Sequence, residues 1–428
     1  MIDRKSAPAI LPAKKINITN PDYIALDNGM PLYAMGNDHE EVVKIEVLFD
    51  AGSDKNSQQQ VAEATCNLSD DGHVGLSASA VAEKFEYYGA SIETLCEYHL
   101  SSMSLYAMAK HVHKLMPVFC DLLQTPEFAT GELENYKVRN IQQLKVQSEK
   151  TEYMARMRMR NELFGDHVYG AVPAISHFEN LSREQLQNFH ASYYATKPFI
   201  VIVSGCASEA LIKQVNKTLG SIKCAPGSTA NLFSNQKHDL TLKQVPQKIK
   251  ITKQGALQSA VRIACAAVNK SHPDYFKLNL LINVLGGYFG SRLMSNIRED
   301  KGYTYGIGSS LVAYRDAAII TIATEVGTDV TAATLEEIYK EINKLCSEEI
   351  PAHELQVVKN YMSGSMLRLF DGTFARAERF RMLLTNSLTN EYYQNFIASL
   401  HQISSKQLIE TANQYLLHAP WTEVVCGD

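Results

Sequence analysis

The stretch LGGYFGSRLMSNIREDKGYTYGIGS, residues 285–309, decides how this chain is read. It gathers Gly286, Gly287, Gly290, Gly302, Gly306 and Gly308 around three tyrosines and the cations Arg292, Arg298 and Lys301. Glycine lets a backbone turn tightly and approach another backbone closely. An arginine fork can hold backbone oxygens, and a tyrosine hydroxyl can donate to an oxygen that is gaining charge. Taken alone, the segment also fits a helix-end salt bridge at Arg298 and a strand aromatic at Tyr305. The residues around it separate the two readings.

Outward from this stretch, the chain repeats itself. GELENYK (131–137) and HELQVVK (353–359) share Glu132/Glu354, Leu133/Leu355 and Lys137/Lys359, an offset of 354 − 132 = 222. SREQLQNFHASYYATKP and SSKQLIETANQYLLHAP share Ser182/Ser404, Gln185/Gln407, Leu186/Leu408, Tyr193/Tyr415 and Pro198/Pro420, and 420 − 198 is again 222. Gly205 and Gly427 close the following strands at the same spacing. Generic amphipathic helices would not keep one register over three separated stretches, so the pattern is an internal repeat.

Each half alternates strand and helix signals. VVKIEVLFDAGS (42–53) and SAVRIACAAV (259–268) read as opening strands, followed by SSMSLYAMA (101–109) and AAIITIATE (317–325). Met116, Cys120 and Leu123 align with Ile338, Ile342 and Leu345 as apolar faces at helical spacing. Strands and long helices mixed within each unit predict an α+β fold of two homologous layered domains, each a mostly antiparallel sheet packed with helices. The Ser-, Asn-, Gln- and Pro-rich segment CAPGSTANLFSNQKHDLTLKQVPQK reads as a linker. The expected division is an N-terminal domain over 1–222, a linker over 223–248 and a C-terminal domain over 249–428.

Composition narrows the function. Apolar residues make up 45% and charged residues 20% of 428, the balance of a globular protein large enough to bury its own core. A net charge of −5 without a concentrated basic patch argues against a nucleic-acid partner. Arg156, Arg158 and Arg160, at alternate positions, cannot share a helix face and read as a solvated helix. Eight cysteines with no C-x-x-C pair read as buried free thiols in a reduced compartment. No apolar run reaches the ~18 residues of a membrane helix, and the first residues lack a signal-peptide core, so a cytoplasmic location without a membrane partner is expected. There is no G-x-S-x-G elbow, and Thr65 and Asn67 give Cys66 no cationic activation as a nucleophile.

The sequence resembles the insulinase and pitrilysin zinc peptidases, closest to the two-domain branch that includes mitochondrial processing peptidase and its bacterial relatives. The likeness spans nearly the whole chain. It is carried by AGS (51–53), the GA-S-I turn (89–92), G-G-x-x-x-S-R-L (286–293), I-R-E-x-x-G-Y-x-Y (297–305) and the closing strands of both halves. It implies the LuxS and processing-peptidase type of metallohydrolase fold. It also implies that Tyr305 hydrogen-bonds a substrate oxyanion and that Arg298 binds peptide backbone, with Gly286, Gly287, Gly290 and Gly302 shaping the substrate loop.

The family's zinc helix carries H-x-x-E-H: two histidines one turn apart hold the metal and the glutamate takes a proton from its water. Where that motif should fall stands QQQVAEATCNLSDDG (58–72), which has no histidine. Its positions fall on Glu63 or Ala64, Cys66 or Asn67, and Asn67 or Leu68. The third-ligand region NIQQLKVQSE (140–149) offers the neutral amides Gln142 and Gln143, poor ligands for zinc. His111 and His113 do not share a helix face, and His73 in SDDGHVG reads as part of a polar turn. No metal site is expected in this chain.

The resemblance therefore implies half an active site. The chain is expected to be the noncatalytic subunit of a heterodimeric zinc endopeptidase acting on unfolded peptides. Its partner would bear H-x-x-E-H and the zinc, and Arg298 and Tyr305 would complete that site in trans. The alternative is a structural or peptide-binding homodimer that cleaves nothing.

Overall fold

The apolar runs of the first half form strands because their β-branched and aromatic residues suit a pleated, buried surface. The computed structural model describes residues 18–428 except 38, 57, 225–232, 234–239, 241, 243 and 244. Much of the expected linker lies outside the described residues. The chain forms two compact units, Thr19–Gln236 with Gly372–Ser387, and Lys237–Asp371 with Leu388–Asp428. Among the described residues no helix is long and apolar enough to cross a membrane.

The first unit contains strands β1 (Asp22–Ala25), β2 (Pro31–Asn37), β3 (Val42–Phe49), the short pair β4 (Gly72–His73) and β5 (Leu76–Ser77), β6 (Ser91–Cys96), β7 (Ser101–Met108) and β8 (Phe199–Cys206). Its main sheet runs β1-β2-β8-β3-β7-β6. Only β2 and β8 pair in parallel; the other neighbours are antiparallel. The second unit contains β9 (Gln247–Thr252), β10 (Gln258–Ala267), β11 (Thr304–Ala313), β12 (Ala318–Gly327) and β13 (Thr422–Gly427). Its order is β11-β12-β10-β13-β9, again with one parallel pair, β13 and β9. The fold is α+β, and the two sheets share a plan strand for strand except at one edge.

The repeated residues do the same work twice. Ser182 opens the helix Arg183–Tyr193 and Ser404 opens Ser405–Tyr415. Gln185 N–H donates to Ser182 Oγ at 3.3 Å while Ser182 N–H donates to Gln185 Oε1 at 2.8 Å. The second copy gives 3.3 and 2.9 Å between Gln407 and Ser404. Each pair is a capping box that satisfies orphan helix donors. Leu186 and Leu408, one position further, are fully buried.

β3 explains why one helix departs from the division by sequence. Its odd positions, Val43, Ile45 and Val47, join the main core of the first unit. On the opposite face Lys44 and Glu46 are almost fully buried as well. Buried charges need partners, and the helix Thr373–Thr385 from the later half of the chain brings them. Lys44 Nζ lies 2.9 Å from Glu378 and 3.4 Å from Glu46. Arg381 lies 3.0 Å from Glu378 and 3.7 Å from Glu46. Ala377, Phe380 and Leu384 of that helix pack on Leu48, Ile200 and Ile202. At the helix start Phe374 meets Gly205, where a Cβ would fall 2.2 Å from Val42 O.

Removing Glu46 leaves the buried Lys44 and the largely buried Arg381 to share the carboxylate of Glu378. Glu46→Ala should cost about 3–5 kcal/mol in urea unfolding. Burial alone would raise the Glu378 carboxyl, but the Lys44 hydrogen bond and the Arg381 charge outweigh it and hold it below its ordinary 4.5. That stabilisation is complete above the unfolded pKa and disappears as pH falls through the folded one. Stability should therefore drop below about pH 4.5, and Glu378→Gln should remove part of that drop.

Candidate functional site

The glycine-rich segment begins at the end of the helix Tyr275–Gly286 and leads to β11 at Thr304. Gly286 is buried, and a Cβ there would lie 2.5 Å from the Ser309 nitrogen. Ser309 Oγ donates back to Ile282 O at 2.8 Å. A Cβ on Gly287 would strike Asn283 Oδ1 at 2.4 Å. These two glycines thus let the helix and its own next turn close up. Gly290 and Gly302 are exposed, and Gly302 turns the chain at φ +67°.

Between them residues Met294–Asp300 form a π-helical turn. Lys301 N–H reaches back five residues to Asn296 O at 3.0 Å. Such turns are rare and need outside support. Met294 and Ile297 anchor it in the core. Asn296 Nδ2 donates to Glu337 at 2.9 Å and to Glu341 at 2.7 Å, both on the helix Thr331–Ser347. Arg292 grips Glu354 with two bonds of 2.8 and 3.0 Å. Glu354 is one of the repeated residues, so its place in the repeat coincides with support of this turn.

β11 then opens on a bulge. Thr304 pairs with Val326 and Ile307 with Thr324, which leaves Tyr305 and Gly306 against one residue of β12. Gly306 N–H donates to Thr304 Oγ1 at 3.1 Å, and Thr324 Oγ1 donates to Gly306 O at 3.0 Å. A bulge re-aims a side chain, and Tyr305 here is 94% exposed. The Arg298 guanidinium lies 4.5 Å from the ring centre of Phe289 and 5.8 Å from that of Tyr305. Phe289 is itself 64% exposed. The structure therefore joins the two residues singled out in the sequence and adds a third. Phe289 was legible only as an aromatic flanked by glycines, and nothing in the sequence pointed to Asn296. Together they present a flattened cation, a phenol donor and the outer edge of β11, which suits an extended peptide backbone.

In the first unit the helix Val61–Asn67 occupies the expected place of the metal motif. Asn56 Oδ1 accepts from Ala62 N–H at 2.7 Å and so caps it. Glu63 is partly exposed and accepts from Asn56 Nδ2 at 3.2 Å. Cys66 is 2% exposed, its sulfur 3.9 Å from Ser102 O, and burial pushes its thiol up to about 12. Asn67 Oδ1 accepts from Thr94 at 3.4 Å. In the other register Ala64 and Leu68 are buried.

On the helix Thr130–Ser148, Gln142 and Gln143 are exposed, whereas Tyr136 is buried beside Asn67 and Glu63. Burial pushes the Tyr136 phenol up to about 12, partly opposed by a hydrogen bond with Asn67. A carboxylate, an amide, a phenol and an inward thiol do not make a zinc site. Among the described residues no three His, Cys, Asp or Glu side chains are grouped for a metal ion.

Beside this helix lies a cleft of about 480 Å³ walled by Glu63, Gln59, Tyr98, Tyr153, Arg160 and Asp166, among others. Arg160 corrects the solvated-helix reading of the arginine triplet. Arg156 and Arg158 pair with Glu152 and Glu162 on the surface. Arg160 turns inward and donates to Tyr169 O at 2.8 Å and to the Tyr98 hydroxyl at 2.5 Å, because the helix places it against that loop. His99 bridges Asp54 at 2.8 Å and the buried Tyr169 hydroxyl at 2.5 Å.

Residues 180–362 match a family described as the peptidase M16 inactive domain. The chain is 24% identical over 306 residues to a Bacillus subtilis (strain 168) protein named uncharacterized zinc protease YmxG, covering 71% of this chain and 72% of that one. It is 22% identical over 320 residues to the non-peptidase homolog YmxG of Helicobacter pylori (strain ATCC 700392 / 26695), covering 73% and 71%. Its fold is shared with the crystal structure of a peptidase M16 inactive domain from Pseudomonas fluorescens, at a TM-score of 0.82 and 20% identity, over 96% of this chain and 98% of that one.

Two outcomes follow from the altered helix. The chain dialysed against micromolar zinc should retain far less than one ion per molecule; stoichiometric zinc lost on Glu63→Ala would contradict the ligand assignment. Asp70, three residues beyond the helix, has its carboxyl pushed up to about 7 by burial and by Asp71. A raised acid costs stability once ionised, so the cost grows as pH rises from the ordinary 3.8 through about 7. Asp70→Asn should raise the thermal midpoint at about pH 8 and leave it nearly unchanged at about pH 4.

Proposed function

We propose, from the match of residues 180–362 to the peptidase M16 inactive-domain family, that the chain is the noncatalytic subunit of a two-chain zinc endopeptidase that acts on unfolded peptides. The carrying observation is the exposed cluster of Arg298, Phe289 and Tyr305 on an otherwise intact motif. Its counterpart is a first-half helix whose side chains cannot hold zinc. A related chain with H-x-x-E-H supplies the metal-activated water. This chain binds and orients the peptide.

In that division Arg298 donates to carbonyl oxygens of the extended substrate. Its guanidinium already rests over the Phe289 ring at 4.5 Å, so less side-chain freedom is lost on binding. Tyr305 donates its hydroxyl proton to the carbonyl oxygen as the carbon becomes tetrahedral. A donor fixed before the reaction contributes a few kcal/mol to that step. The bulge at Tyr305 and Gly306 aims the phenol away from its own sheet, as a role in trans needs.

Turnover of a quenched, unstructured peptide tests the reading. The chain alone and the partner alone should be nearly silent, and their mixture active. In the assembled pair Tyr305→Phe should lower kcat by about 100-fold with little change in KM. Arg298→Ala should chiefly raise KM. An assembled complex whose turnover ignores Tyr305→Phe would sink the role in trans. Absence of a complex and of activity would favour a structural or peptide-binding homodimer.

A further inference from the structure

The two sheets differ at one edge. In the first unit β2 is covered by β1, with Asp22 to Ala25 antiparallel to Ala34 to Pro31. The equivalent strand of the second unit is β9, which likewise pairs in parallel with the closing strand. Among the described residues no strand pairs with the outer edge of β9. Leu240, shortly before it, donates to Asp316 O in the turn that joins β11 and β12.

The polarity of this edge can be assigned. Gln247 N–H donates to Trp421 O and Lys253 N–H to Gly427 O, both towards β13. Backbone groups alternate sides along a strand. The N–H and C=O groups of Lys248, Lys250 and Thr252 therefore point outwards. Alongside runs the helix Thr331–Ser347, and between strand and helix lie two adjoining grooves of about 740 and 350 Å³. They share Lys248, Ala332, Leu335 and Glu423 in their walls. Leu335 and Ala332 give an apolar floor, and Glu423 is held by the Tyr339 hydroxyl at 3.1 Å.

The charged rim decides what fits. Lys248 and Lys250 are both exposed, and Lys340 stands on the facing helix, 3.5 Å from Glu337. Glu336 and the Asp428 carboxylate also border the grooves, Asp428 turned to Gly255 N–H at 3.4 Å. Along the strand edge itself the charge is positive.

We propose that the outer edge of β9 is a docking site for an extended acidic segment of a partner protein. The segment adds as an antiparallel strand in the position that β1 fills in the other unit. Its main chain pairs with Lys248, Lys250 and Thr252. Its carboxylates, at alternate positions, face Lys248 and Lys250, and intervening aliphatic side chains lie beside Ile249 and Ile251. This is strand addition with charge as the selector. It is independent of the Arg298 cluster, which lies on a different strand.

The probe is a short capped peptide alternating glutamate and valine, titrated into the full chain at low salt, with a lysine–valine peptide as control. The acidic peptide should bind and the basic one should not. The double variant Lys248→Glu, Lys250→Glu should weaken binding about tenfold or more. Lys250→Pro removes one outward donor and no bond to β13, and it should abolish binding. By NMR hydrogen exchange, the amides of Lys248, Lys250 and Thr252 should exchange freely in the unbound chain and slow with peptide. Those of Ile249 and Ile251 should be protected throughout. Outward amides already protected without peptide would overturn the proposal, since the edge would then be covered. So would binding that ignores both sets of substitutions, or no binding of the acidic peptide.

Discussion

The Arg292–Glu354 fork, with Asn296 held between Glu337 and Glu341, is the interaction on which the exposed site depends. A π turn wastes helix hydrogen-bond geometry and would relax to an ordinary helix without support. Relaxation would rotate every residue after Asn296 about the helix axis. Arg298 would leave Phe289, and the approach to the Tyr305 bulge would change with it. The site is exposed, but the bonds that fix it are partly buried and charge-assisted, where they are worth most. The exposed cluster of Arg298, Phe289 and Tyr305 is thus held from behind.

The first unit shows the opposite economy. Its helix Val61–Asn67 keeps its packing residues, Val61, Ala62, Thr65 and Cys66, all buried. Of the positions where the motif should fall, Glu63 and Asn67 reach the surface, whereas Ala64, Cys66 and Leu68 belong to the core. Cys66 illustrates the point. In one of the two registers it takes the place of the general base, and its burial raises the thiol and makes it a small core residue.

The repeat accounts for both likeness and difference between the units. Capping boxes at Ser182 and Ser404 and fully buried leucines at 186 and 408 recur because helix starts and core contacts impose the same local demand twice. The edge strands carry no such demand. β2 is covered by β1, whereas β9 carries lysines at 248 and 250, a common way to keep an open edge from pairing indiscriminately. The docking proposed for this edge rests on the charge of the same lysines.

By itself the sequence determined the α+β repeat and its 222-residue register, and it singled out Arg298, Tyr305 and a histidine-free stretch at 58–72. These are signals of period, spacing and side-chain chemistry, which survive without coordinates. Only the tertiary structure decided which residues meet. It set Phe289 under Arg298, Asn296 behind the π turn, and Tyr136 rather than Gln142 or Gln143 beside the altered helix. It also drew the helix Thr373–Thr385 onto the first sheet, because Lys44 and Glu46 are buried and their counter-charges lie more than three hundred residues away along the chain. Local sequence carries no trace of such a pairing, since either partner read alone is an ordinary charged residue.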